Sequence, residues 1–217
     1  MIKVENIEVF GWEAAIRGMR NPMNSWAKSD SYWGLKEDES PINPCDEVHF
    51  FIGKNDIDLM QRLYKGGTEH RKYLRMIHIQ MDITSSLYFF KEFDTYKVGT
   101  TANSCSTMHK IHAKEFTLED FSCEHLTSGA LDVLNTTIEH LNFCRRWFLI
   151  DKNKDWWWQM IQLLPSSYNQ KRTVDFSYET AVSMIKQRAG HKLDEWREFV
   201  EILKGLPYMK EIMGVEE

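Results

Sequence analysis

The 217-residue sequence predicts an α+β fold in which helices predominate and strands are few. Several segments repeat apolar residues at helical spacing, whereas only two alternate apolar and polar residues as strands do. No internal repeat, low-complexity tract or Gly/Ser/Pro-rich linker divides the chain, so we expect a single domain over residues 1–217.

Helices are predicted where apolar residues recur every three to four positions. They fall at residues 11–21, 55–64, 128–148, 156–164, 178–188 and 195–204. Polar side chains that can accept from free N–H groups mark the helix starts. These N-cap candidates are Asn55 or Asp56, Ser128, Asp155, and Asp175 or Ser177.

Strands are predicted over residues 2–10 and from Leu74 to Ile83, where the alternation is close to period two. The aromatic run that follows the second strand suits a buried helix. Residues 24–46 are rich in turn-forming residues, and we expect an unusually long loop there, of the kind that is often functional. A second loop is predicted over the small, polar residues 97–112.

The composition is that of a folded protein, because 42% of the residues are hydrophobic and 27% are charged. It does not indicate which chemistry the protein performs. The net charge of -5 argues against a dedicated nucleic-acid binder, which is normally basic. No apolar run approaches the roughly 20 residues that cross a bilayer. The first residues lack the pattern of a secretory signal, so we expect a cytoplasmic protein without membrane contact.

Cysteine and histidine spacing indicates neither disulfides nor a metal site. The four cysteines are Cys45, Cys105, Cys123 and Cys144, with no CxxC pair, and we expect reduced thiols. His109 and His112 lack an HExxH motif or paired carboxylates, so no metal is expected. Cys105 would be a nucleophile only if a cation or a helix N-terminus lowered its pKa, and a structural role is the commoner one.

Two segments in the first half could bind a small ligand. His70 follows the Gly66-Gly67 break, where a histidine can reach a pocket or simply lie at an element boundary. The small residues between Lys91 and His109 let the backbone approach a ligand. Five side chains in this segment offer hydrogen-bond donors that suit a phosphate or the edge of a pyrimidine base. They belong to Lys91, Lys97, Asn103, Ser104 and Ser106.

The C-terminal half offers two more candidates. Arg188 ends a helix and His191 begins the next, so this corner can present a guanidinium group to phosphate. The simpler interpretation is a cation that is favoured at a helix C-terminus. The consecutive residues Trp156, Trp157 and Trp158 could stack on a base, although core packing or a subunit contact is more typical.

The order of these landmarks resembles that of the flavin-dependent thymidylate synthases, over roughly residues 48–203. Glu69-His70 is similar to the glutamate-histidine pair of the family. Lys91-Glu92-Phe93 stands where the family has Arg-His-Arg, and Asn103 to Ser106 resembles the asparagine-to-serine half of the same signature. Leu164-Pro165 and Arg188 are similar to a leucine-proline step and to the arginine that ends the C-terminal helix.

This resemblance implies a helix-rich α+β fold with a small antiparallel sheet. It also implies a homotetramer that holds FAD between subunits and methylates dUMP reductively, with methylenetetrahydrofolate and NADPH as co-substrates. By position, Ser106 and Arg188 would be catalytic and would bind the pyrimidine nucleotide together with Ser104. The implied cofactor-binding residues are His70, Lys91, Asn103 and His191.

Two alternatives stay open. The chain could be a non-catalytic nucleotide-binding protein that has kept the scaffold and lost FAD, because two arginines of the signature are missing. The C-terminal positions that hold flavin in the family fall near Ser177, Glu179 and Ser183, and Glu179 would repel a pyrophosphate. The chain could also be an unrelated helical interaction protein whose tryptophans form the contact surface.

Overall fold

The structure, a computed structural model, describes residues 2–35 and 48–214. Within these residues the chain forms short strands, helices and a few single 3-10 turns. In chain order the strands and helices are β1 (Lys3–Phe10), α1 (Trp12–Arg20), β2 (Tyr32–Gly34), β3 (His49–Phe51), α2 (Lys54–Lys65), β4 (His78–Ser86), α3 (Leu87–Phe93), β5 (Thr100–Ser104), α4 (Thr107–Lys110), α5 (Ser128–Asp151), α6 (Lys154–Leu163), β6 (Asn169–Ser177), α7 (Tyr178–Arg188), α8 (Asp194–Lys204) and α9 (Met209–Met213).

The strands form two small sheets. One has four strands in the order β1-β4-β6-β5, and the other pairs β2 with β3 in antiparallel fashion, with Trp33 opposite Phe50. Helices account for most of the regular structure. The predicted fold class, a helix-rich α+β protein with a small antiparallel sheet, is therefore confirmed.

Contacts divide the chain into two compact units, each assembled from three segments. The first unit comprises Met1–Ile7, Gln80–Asp175 and His191–Phe199. The second comprises Glu8–Ile79, Phe176–Gly190 and Val200–Glu217. The expectation of a single domain over residues 1–217 stays a prediction.

Aromatic rings fill the core of the first unit. Phe89, Phe90 and Phe93 of α3 are at most 1% exposed, and Phe89 and Phe93 pack against Trp196 and Phe199 of α8. The Phe89 and Trp196 ring centroids are 4.9 Å apart. A neighbouring apolar cluster is formed mainly by α5 and α6. Its buried members are Ile111, Phe116, Phe121, Leu134, Ile138, Leu141, Cys144 and Met160.

Buried tyrosines with satisfied hydroxyl groups organise the core of the second unit. The Tyr178 hydroxyl donates to the carbonyl of Pro207 at 2.8 Å, and its ring meets Trp12 edge-on at 5.1 Å. Gly11, which precedes α1, has φ +94°, and a Cβ atom there would lie 2.1 Å from the carbonyl oxygen of Met76. Glycine is therefore required for α1 to begin at this position.

A buried ion pair between Arg20 and Asp56 ties α1 to α2 in the second unit. Arg20 is 4% exposed and Asp56 fully buried, and the Arg20 Nε atom donates to Asp56 Oδ1 at 2.7 Å. The hydroxyls of Ser29 and Ser31 donate to the other carboxylate oxygen at 2.7 and 2.6 Å. Burial alone would raise the pKa of Asp56, but hydrogen bonds from Ser31, Ser29 and Arg20 outweigh it and lower the pKa below its ordinary value.

Helix starts were predicted with mixed success. Ser177 is the N-cap of α7 as expected, and its hydroxyl oxygen accepts from the Thr180 N–H. The expected caps Ser128 and Asp155 are wrong by one and two residues, because Thr127 and Asn153 occupy the N-cap positions with extended backbone. Neither Asn55 nor Asp56 caps α2. Its N-cap is Gly53, and the Asp56 carboxylate pairs with Arg20 instead.

Candidate functional site

A cavity of about 360 Å³ in the first unit lies beside the β5–α4 connection and the first residues of β6. Its size falls within the range of about 300–1,000 Å³ that is typical of small-molecule sites. The wall combines hydroxyl, amide, ammonium and aromatic groups. It is lined by Thr84, Cys105, Ser106, Thr107, Lys110, Ile111, Lys114, Phe116, Glu119, Asp120, Tyr168, Asn169, Gln170 and Lys171.

Hydrogen bonds between β5 and β6 fix one wall of this cavity. The Cys105 N–H donates to the Lys171 carbonyl at 2.9 Å, and the Gln170 side-chain amide donates to the Cys105 carbonyl at 2.7 Å. Gln170 is only 8% exposed, and its own side-chain oxygen accepts from Arg172 at 3.0 Å. Because both backbone groups of Cys105 are bonded, the position of the next residue, Ser106, is well defined.

Ser106 caps the short helix α4. Its hydroxyl oxygen accepts from the His109 N–H at 3.0 Å, which leaves the hydroxyl proton available to a ligand. The structure therefore places Ser106 on the cavity wall, where the sequence predicted a substrate-binding residue. Its substrate-binding and catalytic roles both stay predictions.

Three lysines and two acidic residues give the cavity its charge. Lys114 pairs with Asp120, and this hydrogen bond raises the pKa of the lysine. Lys171 pairs with Asp82 at 2.8 Å. Among the described residues, no carboxylate pairs with the Lys110 ammonium group. Lys110 is thus the cation that is available to an anionic ligand.

Asp82 anchors a polar network on the four-stranded sheet next to the cavity. The hydrogen bond from Lys171, together with those from Thr173 and Asn6, lowers the pKa of Asp82 to about 2. The Thr173 hydroxyl donates at 2.6 Å and the Asn6 amide at 3.0 Å. Asp82 is therefore ionised at neutral pH and holds the Lys171 side chain in place.

Tyr168 supplies a flat aromatic wall. Its ring lies edge-on to Phe121 at 5.6 Å and to Phe116 at 6.2 Å. Burial raises the pKa of Tyr168, so its hydroxyl stays neutral and can donate a hydrogen bond. The adjacent Asn169 accepts the Ser122 hydroxyl at 2.9 Å through its side-chain oxygen, which leaves the amide N–H groups as donors.

The remaining predicted residues of the first unit lie away from this cavity. Asn103 and Ser104 are exposed neighbours on β5, so their side chains point to opposite faces of the strand. Lys91 is exposed on α3. His191 accepts the Leu193 N–H through Nδ1 at 3.2 Å and packs on Trp196. The wall contains none of these four, and their proposed roles stay predictions.

The second unit carries the other two predicted residues. His70 is exposed in the turn after α2, and Arg188 is the partly buried last residue of α7. A larger cavity of about 740 Å³ also lies in this unit, with an aromatic lining that includes Trp33, Phe50 and Tyr208. We regard the smaller cavity of the first unit as the better candidate, because it combines an unpaired cation with a serine hydroxyl and side-chain amides, whereas Arg17 shares the larger cavity with mainly apolar and aromatic residues.

The C-terminal positions implied to hold flavin do not fit that cofactor. Ser177 caps α7, and the Ser183 hydroxyl donates to the Glu179 carbonyl at 3.0 Å. The Glu179 carboxylate pairs with Arg71 at 2.9 Å and has one buried oxygen without a hydrogen-bond donor. This set of groups offers a diphosphate a negative charge in place of a free cation.

Three further properties concern membrane spans, metal ligands and thiols in the described residues. No helix there is long and apolar enough to cross a bilayer. Residues 2–35 and 48–214 contain no cluster of three or more His, Cys, Asp or Glu side chains that could hold a metal ion. The thiols of Cys105, Cys123 and Cys144 are free, while Cys45 lies outside the described residues.

The sequence does not indicate most of the residues that line the cavity. Lys110, Tyr168 and Gln170 were not singled out, because each lies in a stretch that is polar and short of apolar residues. A short signal for β6 was present, since Val174 and Phe176 alternate with polar residues, and the structure buries both of them on the same strand as Gln170. Recognising that alternation would have placed residues 169–171 on a strand beside the predicted ligand segment.

Comparisons with known proteins locate the fold. No protein-family model and no curated protein sequence matches the chain. Solved structures do match it. A Helicobacter pylori thymidylate synthase X (ThyX) structure with FAD and dUMP has a TM-score of 0.67 and 15% identity, and the match covers 98% of this chain and 97% of that one. A second structure of the H. pylori flavin-dependent enzyme, also complexed with FAD and dUMP, has a TM-score of 0.66 at 15% identity and covers 97% of each chain. The chain therefore has a ThyX-like fold along nearly its whole length.

Proposed function

We propose that the chain binds a pyrimidine nucleoside monophosphate, with dUMP as the first candidate, in the cavity of the first unit. The observation that carries this proposal is the unpaired Lys110 ammonium group beside the Ser106 hydroxyl in one cavity with an aromatic wall. The likeness to ThyX structures solved with dUMP supports the same ligand class.

The cavity groups match the parts of a nucleotide. Lys110 and Ser106 can bind phosphate through charge-assisted and neutral hydrogen bonds. The Tyr168 ring provides an apolar wall for the base, and the Asn169 amide can reach a carbonyl at the base edge. Because Lys114 and Lys171 are already paired with carboxylates, we expect phosphate affinity to depend mainly on Lys110.

Reductive methylation of dUMP is the second candidate activity. It is favoured by the ThyX-like fold, which extends over 98% of this chain. That activity would use FAD, with NADPH and methylenetetrahydrofolate as co-substrates, and would give the chain the role of a thymidylate synthase-like methyltransferase. The two activities differ in whether a flavin accompanies the purified protein.

We also propose a homo-oligomer, with a tetramer as the expected form. The long helix α5 carries large apolar side chains that are exposed within the described residues. They are Val133 at 68%, Phe143 at 40%, Trp147 at 43% and Ile150 at 72%. These four recur at helical spacing along the helix, as the residues of a helix-packing surface do.

Titration calorimetry with dUMP tests the nucleotide site. Lys110→Ala should weaken binding by roughly 1.5–3 kcal/mol, the range for a hydrogen bond to a charged group. Lys192→Ala removes an exposed lysine of the same unit that does not line the cavity, and it should leave the affinity unchanged. Equal affinities in the two variants would refute this location for the phosphate.

A further inference from the structure

We infer that this chain does not hold FAD, because an internal ion pair has taken the place of the cationic group that a flavin diphosphate needs. The inference concerns Glu179 and Arg71 in the second unit and, separately, the segment Lys91-Glu92-Phe93 in the first. It is independent of whether the cavity of the first unit binds dUMP.

The Arg71–Glu179 pair is well formed and largely shielded from water. Arg71 donates through Nε at 3.1 Å and through Nη2 at 2.9 Å, both to Glu179 Oε1. The two side chains are only 13% and 16% exposed. A guanidinium group held by two hydrogen bonds to one carboxylate is not free to bind a diphosphate.

A second cation, that of Lys186, lies near this pair. Both cations lie over the ring of Tyr64. The Arg71 guanidinium carbon is 5.6 Å from the ring centroid, and the Lys186 ammonium nitrogen is 4.7 Å from it. Cation–π contacts of this kind hold positive groups against a ring face. The Arg71 guanidinium is therefore held within the second unit, whereas Lys186 is exposed and makes only a weak contact with the ring.

The second carboxylate oxygen of Glu179 limits the ligands that could bind next to the Arg71–Glu179 pair. Oε2 is buried and has no hydrogen-bond donor among the described residues. Such an atom favours a partner that offers an N–H or O–H group, because a buried acceptor without a donor is costly. A diphosphate offers only acceptors and negative charge, so it would add repulsion to an acceptor that is already unsatisfied.

The segment that replaces Arg-His-Arg offers little to a cofactor. Phe93 is 1% exposed and packs against Phe89 and Trp196, with ring centroids 6.1 and 6.4 Å away. Its side chain is part of the core of the first unit. Glu92 carries a negative charge, which leaves Lys91 as the cation of the triplet.

The chemical consequence is that a nucleotide bound to this chain would not be methylated by a flavin-dependent route. Converting a folate-borne methylene group into a methyl group requires two electrons and a proton. Redox cofactors supply such electrons, whereas amino-acid side chains supply binding, orientation and protons. A chain without a flavin site would bind the nucleotide without itself holding a flavin to supply these electrons.

Flavin binding by the purified full-length protein tests this inference. We expect no flavin absorption after purification, and no quenching of FAD fluorescence by protein up to about 100 µM, a concentration at which a functional cofactor site would be filled. Stoichiometric copurified flavin, or saturable quenching with a Kd below about 100 µM, would overturn the inference. A dUMP titration on the same preparation keeps the two claims apart, since a failure to bind dUMP refutes the proposed function and leaves the flavin result unaffected.

Two matched variants test the role given to Glu179. Glu179→Gln removes the charge but keeps an oxygen that can accept from Arg71, and it should quench FAD fluorescence at protein concentrations of about 100 µM, where Glu198→Gln should show no quenching. Glu198 is an exposed acid on α8 and serves as the control. Circular dichroism shows whether both variants fold, and equal flavin affinities in two folded variants would overturn the role of Glu179.

Discussion

Replacing Asp56 with alanine should destabilise the second unit more than any exposed substitution. The change removes the acceptor of two Arg20 nitrogens, at 2.7 and 2.6 Å, and of the Ser29 and Ser31 hydroxyls. Arg20 would stay buried at 4% exposure without its counter-charge. Breaking a buried pair in this way costs about 3–5 kcal/mol, and a chain of this size loses roughly 2–4 °C of Tm per kcal/mol. The expected drop is therefore roughly 6–20 °C.

Thermal unfolding followed by circular dichroism measures this loss. Asp58→Ala is the matched control, because Asp58 is an exposed residue of the same helix. This variant should change the free energy of unfolding by no more than about 0.5 kcal/mol. The lowered pKa of Asp56 also makes the stability of the fold depend on pH. The pair stabilises the fold above the unfolded pKa of about 3.9 and is lost as pH falls through the lower folded value. Equal Tm values for the two variants would refute the reasoning.

Three further predictions concern nucleotide binding, acid stability and assembly. Arg188→Ala should leave dUMP affinity unchanged in calorimetry, because Arg188 does not line the cavity of the first unit, and a loss of roughly 1.5–3 kcal/mol would contradict the placement of the phosphate at Lys110. Asp82 has its pKa lowered to about 2, so it stabilises the fold above about pH 3.9 and loses this effect as pH falls toward 2. In urea unfolding, Asp82→Asn should be less acid-sensitive than wild type over that range, and identical profiles would contradict the network. Trp147→Glu should convert the oligomer into smaller species in light scattering, and an unchanged mass would exclude the α5 surface from the interface.

The sequence predicted the helices better than the strands, for a physical reason. Helical periodicity is local, so α5 and α7 could be located from their own residues. The strand β5 carries no large apolar residue, and its pairing depends on β6, some seventy residues later. Sheet partners that are distant in sequence leave no local signal in an exposed edge strand.

Candidate site residues show the same limit. Ser106 was identified from a segment of small polar residues, and it does line the cavity. Lys110 could not be singled out, because its importance comes from the pairing of the two other lysines with carboxylates. Glu179 was recognised as unfavourable for a pyrophosphate, but its bond to Arg71 spans 108 residues and required the structure.

The most direct measurement of the central claim is a calorimetric titration of the wild-type protein with dUMP, repeated after Lys110→Ala. We predict saturable binding of one dUMP per chain in the wild type and a loss of roughly 1.5–3 kcal/mol in the variant. An absence of heat and of any Tm shift at about 1 mM dUMP, where even a Kd of that size would give half-saturation, would contradict the nucleotide-binding account.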